Sequence, residues 1–447
     1  MTRPLEDMTA ALLEAARRAG AEAADALAVE GTSLSIDIRQ GRLEEAQRAE
    51  GIDLGLRVLI GGRQACVSSS DTSARTMQAM AERAVAMARE APEDPYAGLA
   101  DPGQITSDWD IASLDLADPS PEPTPEALQT AAREAEAAAM AVSGIVQVEA
   151  GAGQSHRRMH LAATNGFAGG YARTSHSLSA VAFVGSGTGM ERDWSAEGRI
   201  FAADIPAPEG IGRLAATRAL SRLGARKPPT GAFAVLYDER VASSLIGHLL
   251  SAVNGAAVAR GASWLRDALG QQVLPAGLSV IDDPLRRRAS SSRPFDAEGL
   301  ATARRAIVQD GVLTGWTLDL ASARKLGMAS TASAGRGPSA PPSPGTSNID
   351  LTPGTATRDD LIAAMGTGLL ITSLIGSTVN PTTGDYSRGA SGFWVERGEV
   401  VWPVNECTIA GNLRDMLMRL TPANDARAHL STRVPSLLVE GLTIAGA

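Results

Sequence analysis

The chain has 447 residues, enough for two domains, and its 44% hydrophobic and 20% charged residues are typical of a globular protein. A formal net charge of −9 and a sequence pI near 5.3 argue against binding to nucleic acid or to an anionic membrane, since both require a basic face. Two cysteines, no signal segment, and no apolar stretch near the roughly 20 residues of a membrane span predict a cytoplasmic protein without disulfides.

The first half of the sequence predicts helices that alternate with groups of strands. An apolar stripe predicts a helix over residues 5–19, which Gly20 ends. The further predicted elements are strands at 34–38, 43–49, 54–60 and 65–69, helices at 72–91 and 125–142, strands at 146–150, 158–164, 171–184 and 192–202, and a helix at 208–223. Asp71 is the predicted N-cap of the second helix, and Gly61-Gly62 is a predicted hairpin turn.

Pro228 and Pro229 mark a predicted domain boundary, because adjacent prolines do not fit inside a helix or a central strand. Beyond them the sequence predicts a strand at 232–237, a helix at 239–253 capped by Asp238, hairpins that turn at 310–311 and 397–398, helices at 357–366 and 411–420, and a strand at 436–442. Residues 330–355 are rich in proline and predict a long loop. We expect an α+β protein with two domains. Residues 1–227 should form an N-terminal domain of antiparallel strands flanked by helices, and residues 228–447 a strand-rich C-terminal barrel or sandwich.

The histidines do not form a recognisable metal motif. His156 and His160 lie four apart in a predicted strand, which places them on one face but about 13 Å from each other. His248 lies on a predicted helix, but Leu249 follows it, and neither position 252 nor position 253 is a histidine. A helical zinc site requires that second histidine, with a glutamate beside the first. We interpret these histidines as structural residues.

Nucleophile and phosphate-binding motifs are also missing from the sequence. Residues 389–392 are one residue short of a GxSxG elbow. Cys407 lies in a predicted apolar strand, which favours a buried, inert thiol. The glycines of residues 185–189 lack the lysine and the strand–loop–helix context of a phosphate loop, so a hairpin turn is the better interpretation.

Two segments of the second half resemble a known family. The runs GDYSRGASGFWVE at 384–396 and VNECTIAGNL at 404–413 are similar to the signature of the TldE/PmbA proteins, the branch of the TldD/TldE (TldD/PmbA) peptidase family without a metal site. Shorter similarities lie at 295–299, 322–327 and 365–369, and at 55–58 and 69–71 in the first half. The resemblance therefore extends over nearly the whole chain.

The resemblance implies a two-part metallopeptidase. In this family TldD holds zinc through an HExxxH helix and a later cysteine, and TldE is its inactive homologue. The two enclose a chamber that cleaves unfolded peptides and matures modified peptides such as microcins. The metal helix corresponds to residues 245–255 here, and the cysteine region to residues 431–436, and neither carries the ligands. The resemblance thus implies no catalytic residue, metal or cofactor in this chain, and zinc only in a TldD-type partner.

Two interpretations of the function remain open. The first is a noncatalytic subunit that pairs with a TldD-type homologue and helps to hold an unfolded peptide. The second is a self-pairing protein, either a peptide-binding homodimer or a hydrolase without the family zinc site. We predict that Asp385, Tyr386, Arg388 and Asn348 contact the peptide, because a carboxylate, a ring and a guanidinium lie between glycines and the loop ending near Asn348 can reach them. Alternatively, Asp385 and Arg388 form a structural ion pair.

Overall fold

The computed structural model describes residues 3–446, with the backbone alone for residue 377. Its α-helices are α1 (Leu5–Ala19), α2 (Ala74–Glu90), α3 (Ile111–Leu114), α4 (Pro125–Met140), α5 (Pro208–Leu220), α6 (Glu239–Ala252), α7 (Gly255–Ala259), α8 (Leu320–Leu326), α9 (Arg358–Met365) and α10 (Leu413–Met418). None of the helices between residues 3 and 446 combines the length and the apolar character that crossing a bilayer requires.

The strands form two large sheets and two small ones. Those of the first half are β1 (Ala23–Arg39), β2 (Arg42–Ile60), β3 (Arg63–Ser69), β4 (Ile145–Ala163), β5 (Ala168–Val184) and β6 (Glu191–Arg199). Those of the second half are β7 (Gly231–Tyr237), β8 (Val280–Asp282), β9 (Arg305–Gln309), β10 (Val312–Leu313), β11 (Ala334–Gly335), β12 (Ser343–Pro344), β13 (Ile349–Leu351), β14 (Gly368–Val379), β15 (Asp385–Glu396), β16 (Glu399–Asn412), β17 (Leu420–Pro422), β18 (Thr432–Arg433) and β19 (Leu437–Ala445).

The first sheet is antiparallel throughout, in the order β3-β2-β1-β4-β5-β6. Side chains alternate between its two faces along each strand. Ala28 and Ile36 of β1 lie on the face that is covered by α1 and α2 at one end and by α4 and α5 at the other. Leu27 and Val29 lie on the opposite face, where they pack with Phe295 from the second half. The first sheet therefore contacts the second half of the chain through the face opposite α1, α2, α4 and α5.

The second large sheet closes into a barrel. Its strands follow the order β16-β15-β14-β7-β19, the β16–β19 pairing closes the ring, and β17 pairs with the far end of β19. Tyr237 and Trp394 are buried in its core, with 0% and 2% of their surface exposed. The predicted α+β class is confirmed. Because the second large sheet closes on itself, the second half of the chain contains a barrel and not a sandwich. A small sheet, β10-β9-β8-β13-β18, lies in the same half.

Several local predictions need correction. The strands predicted at 43–49 and 54–60 form one strand, β2, because its pairing with β1 continues through Gly51 opposite Gly31. In the same way 146–150 and 158–164 belong to the single strand β4. The N-cap of α2 is Ser73 rather than Asp71; the Ser73 side chain accepts from the Thr76 N–H at 3.2 Å. Residues 368–379 form β14, although no strand was predicted there.

The segment between the two halves runs beside the barrel. The first sheet ends at Arg199 and the barrel begins at Gly231, so Pro228 lies in the connection. The Arg226 N–H donates to Pro403 O at 3.1 Å, and its carbonyl accepts from the Asn405 N–H at 3.3 Å. The connection therefore adds backbone hydrogen bonds to the edge of β16.

Candidate functional site

The helix that follows the first barrel strand carries a partly buried histidine, His248, next to the barrel core. Asp238 caps α6 through the Arg240 N–H at 3.2 Å, and Leu245 and Leu249 bury the inner face of the helix. His248 packs edge-to-face against Tyr386 of β15, with 5.6 Å between ring centroids and 72° between planes. The helix thus brings an imidazole onto the strand of the family-like signature.

His248 is a neutral imidazole in this setting. Burial lowers the pKa of His248, and the positive charge of Arg388 lowers it further. Its Nε2 atom is buried and has no hydrogen-bond partner among the described residues. A buried nitrogen without a partner costs free energy, so this position is suited to a hydrogen bond from a bound group.

Tyr386 lies inside the barrel rather than on a surface. It is 2% exposed, and its hydroxyl is 3.5 Å from that of Tyr237, which is fully buried. Burial raises the pKa of both phenols, that of Tyr237 well above its usual value near 10. Both side chains are therefore neutral. The Tyr386 ring packs against His248 and is too buried to contact a peptide.

Asp385 and Arg388 do not pair with each other in the described structure. Arg388 Nε donates to Gly376 O of β14 at 2.7 Å. The Asp385 carboxylate accepts from Thr383 Oγ1 at 2.6 Å and from Asn412 Nδ2 at 3.1 Å, and these bonds lower the pKa of Asp385. The proposed ion pair is absent because residues three apart in a strand lie on opposite faces. Arg388 instead ties β15 to a carbonyl of the neighbouring strand.

Asn348 is completely buried and is bound elsewhere. Its Nδ2 donates to Asp283 O at 2.7 Å and to Ser292 Oγ at 2.8 Å, so none of its hydrogen bonds goes to β15. The four residues that were predicted to contact the peptide therefore do not lie together. Tyr386 and Arg388 share one face of β15, Asp385 lies on the other face, and Asn348 lies in the proline-rich loop.

The proline-rich loop packs against the first sheet and the end of α6. Gly55 of β2 has no room for a side chain, since a Cβ there would lie 2.3 Å from Pro338 O. Asn254, just after α6, donates through Nδ2 to Pro344 O at 2.9 Å. The loop therefore contacts both halves of the molecule.

Strand β14, which lies beside Tyr386 and Arg388 of β15, has one edge that is unpaired over part of its length in the described structure. The strand pairs with β7 over residues 368–371, whereas its pairing with β15 continues to Val379. Over residues 372–379, no strand within 3–446 pairs with the second edge. Ile375 in this stretch is 70% exposed. A free edge beside an exposed apolar side chain is an arrangement to which extended peptides can add as a further strand.

The residues around α6 do not fit a zinc ion. Protein zinc sites use three or four His, Cys, Asp or Glu ligands. No group of three such residues in the described part of the chain is placed to hold a metal. Cys407 is no substitute, because it is buried, donates to Ala390 O at 3.2 Å, and has a pKa raised by burial to about 11.

Comparison with known families places the chain. The family model for the PmbA/TldA metallopeptidase C-terminal domain matches residues 230–446, that for domain 1 matches residues 24–88, and that for the central domain matches residues 117–223. The Metalloprotease PmbA of Escherichia coli O157:H7 is 36% identical over 99% of this chain and 96% of its own length. This chain belongs to the PmbA/TldD family. A PmbA homolog from Haemophilus influenzae is 33% identical over 97% of this chain and 94% of its own length.

Solved structures share the fold. A protein from Bacteroides thetaiotaomicron, described as a candidate modulator of DNA gyrase, superposes with a TM-score of 0.91 at 28% identity, covering 99% of both chains. TldE from Thermococcus kodakarensis superposes with a TM-score of 0.85 at 18% identity, covering 98% of this chain and 100% of its own. The PmbA/TldD membership supports a peptidase-related function.

Proposed function

We propose that this chain is the noncatalytic subunit of a two-part metallopeptidase. It pairs with a TldD-type subunit that holds zinc, and it helps to hold an unfolded peptide in the shared chamber. This proposal rests on the residues of α6, which do not include a set of zinc ligands. Where the family resemblance puts the metal helix, this chain has a single histidine, His248, whose neighbour is a tyrosine rather than a second metal ligand.

The peptide-holding role is supported by the free edge of β14. Residues 372–379 offer backbone groups on one side, and the exposed Ile375 offers apolar surface. Main-chain hydrogen bonding of this kind does not depend on the peptide's sequence, which suits an enzyme that acts on unfolded chains. Arg388 holds the Gly376 carbonyl and so fixes the course of the edge.

The test is metal content and activity, with and without a partner. Purified alone, the chain should contain no stoichiometric zinc and cleave no peptide, because one neutral imidazole cannot supply the affinity of a zinc site. Mixed with a TldD-type homologue from the same organism, it should form a complex that cleaves unfolded peptides. About one zinc per chain retained after mild chelation, or cleavage by the chain alone, would contradict the proposal and favour a self-sufficient hydrolase.

Subunit pairing is tested separately. Light scattering at micromolar concentration should give a dimer mass for the mixture with the TldD-type partner. Stable complexes of this kind bury at least about 1,200 Å². A homodimer that excludes the partner would favour the second interpretation, a self-pairing peptide-binding protein.

Replacing Arg388 by alanine should weaken peptide cleavage by the assembled complex while leaving the fold intact. The substitution removes one hydrogen bond from a charged group, so we expect a loss of stability of at most about 1–3 kcal/mol and a loss of order in the free edge. Thermal melting and cleavage rate measured on the same variant separate the two effects. Arg266→Ala is the control, since Arg266 is exposed and bonds to its neighbour Asp267. Unchanged cleavage by a stable Arg388→Ala complex would rule out a peptide role for Arg388.

A further inference from the structure

A separate cavity lies between the first sheet and loops of the second half. It encloses about 330 Å³, within the range of roughly 300–1,000 Å³ that is usual for small-ligand sites. Its floor is the face of the first sheet opposite α1, α2, α4 and α5, where Val29, Met159 and Tyr171 lie side by side on β1, β4 and β5. The opposite wall is contributed by the loops around residues 290–293 and 336–346.

Arginines dominate the polar lining of this cavity. Arg157, Arg173, Arg293 and Arg336 line it, and none of its described lining residues is Asp or Glu. Arg157 and Arg173 are direct neighbours across the β4–β5 ladder. Like charges in that relation repel each other. Arg157 is exposed, and within residues 3–446 no carboxylate forms an ion pair with it. An anion in the cavity would relieve this repulsion.

Two of these arginines are bonded to neutral groups. Arg173 Nη2 donates to Ser292 O at 2.7 Å. Arg293 donates to Ala334 O at 3.0 Å through Nη1 and to Gly345 O at 2.8 Å through Nη2. The carbonyl oxygens hold each guanidinium in place but do not neutralise its charge; Arg293 Nε has no partner among the described residues, and the nearby carboxylate that acts on Arg293 is that of Asp296. The cavity therefore has fixed positive groups before any ligand binds.

Arg336 is the most deeply buried of the four, with 1% of its side chain exposed. It pairs with Asp25, but Asp25 also binds Arg57 at 2.6 Å, so one carboxylate serves two guanidinium groups. Arg336 Nη2 is buried with no hydrogen-bond partner in the described structure. Asp296, which lines the adjoining space, already accepts backbone N–H groups, including that of Leu300 at 3.0 Å. An acceptor atom of a bound ligand would satisfy the free donor of Arg336.

We infer that this cavity binds the free C-terminal carboxylate of a peptide, with the last side chain against the apolar floor. Guanidinium groups bind planar carboxylates through paired hydrogen bonds, which are roughly twice as strong as those between neutral groups. Val29 and Met159 provide an apolar surface beside the charged end. The peptide nature of the ligand rests on the proposed function; the carboxylate chemistry rests on the arginines alone. Inorganic phosphate shares that chemistry and is distinguished in the experiment.

The experiment compares two forms of one peptide on the whole chain. A short acetylated peptide that ends in leucine is titrated as the free acid and as the C-terminal amide, at about 50 mM salt to limit screening. The acid should bind about tenfold more tightly than the amide, because only the acid presents a charged group to the guanidinium donors. Inorganic phosphate should compete only at much higher concentration than the acid peptide, because it lacks the apolar part.

Adjacent arginines of β4 provide the variant and its control. Arg157→Ala should abolish most of the preference for the acid. Arg158→Ala should keep it, because Arg158 lies on the opposite face and pairs with Glu30. Arg157 is exposed, so its variant should fold; if its melting temperature falls, Arg157→Lys should restore both folding and part of the preference. Equal binding of acid and amide, an unchanged preference in Arg157→Ala, or phosphate binding as tight as the peptide would overturn the inference. Cleavage by the two-subunit complex tests the proposed function independently of these titrations.

Discussion

Replacing Asp25 with alanine should lower the free energy of unfolding by about 3–5 kcal/mol, because it removes the ion-pair partner of two buried guanidinium groups. The Asp25 side chain is 4% exposed, that of Arg57 is 5% exposed, and that of Arg336 is 1% exposed. Asp25 and Arg57 belong to the first sheet, whereas Arg336 comes from the proline-rich loop of the second half. Chemical denaturation monitored by circular dichroism measures the change.

Two further variants test the cause of that loss. Glu14→Ala removes an exposed pair with Arg17, whose side chains are 47% and 72% exposed, and it should leave the free energy of unfolding close to that of wild type. A triple variant with apolar residues at 25, 57 and 336 should recover much of the stability lost by Asp25→Ala, since the cost lies in the unpaired charges. A loss below about 1 kcal/mol for Asp25→Ala itself would mean that water reaches the two arginines.

Sequence patterns were sufficient where a local signal and the tertiary environment agree. Helix α1 begins and ends where the apolar stripe and Gly20 predicted, and Gly20 has the left-handed conformation, with φ of 99°. The first part of β1, from Ala23, was not predicted because its alanine-rich composition favours a helix. It is a strand because β2 and β4 pair with it on both sides, and neither pairing is visible in a short window.

The candidate site depended on contacts between distant segments. His248 and Tyr386 meet because α6 packs on the closed barrel, and Arg157 and Arg173 meet because of the β4–β5 register. Neither of these two contacts can be predicted from the spacing of the residues along the sequence. One error was avoidable, since a strand period of two already places Asp385 and Arg388 on opposite faces and excludes their ion pair.

A second large effect concerns Glu298, a carboxyl group buried where the two halves meet. It is 9% exposed, and its Oε2 accepts from the Leu320 N–H at 2.8 Å. Burial raises the pKa of Glu298 to about 8, and repulsion from Asp296 and Asp319 adds to the shift. The group is therefore protonated in the folded protein at neutral pH, although it is ionised in the unfolded chain.

The sign of the pH dependence follows from proton counts. Between about pH 4.5, the ordinary value for a glutamate, and about pH 8, the folded state holds one more proton at Glu298 than the unfolded state. The stability due to this group is fully present below pH 4.5 and falls as pH rises to 8. Glu298→Gln is uncharged throughout, so its stability relative to wild type should rise across that window by on the order of 4 kcal/mol.

Denaturation curves for both proteins at pH 5, 6, 7 and 8 give this difference directly, and titrating groups that do not interact with Glu298 cancel in it. Glu90→Gln is the matched control, because Glu90 is exposed and the exchange should leave the curve parallel to wild type. The glutamine oxygen can still accept from the Leu320 N–H, so the variant keeps the hydrogen bond and loses only the charge. If the difference in the free energy of unfolding between Glu298→Gln and wild type stays constant from pH 5 to pH 8, the prediction is wrong. The Glu298 carboxyl would then be ionised in the folded protein over this pH range.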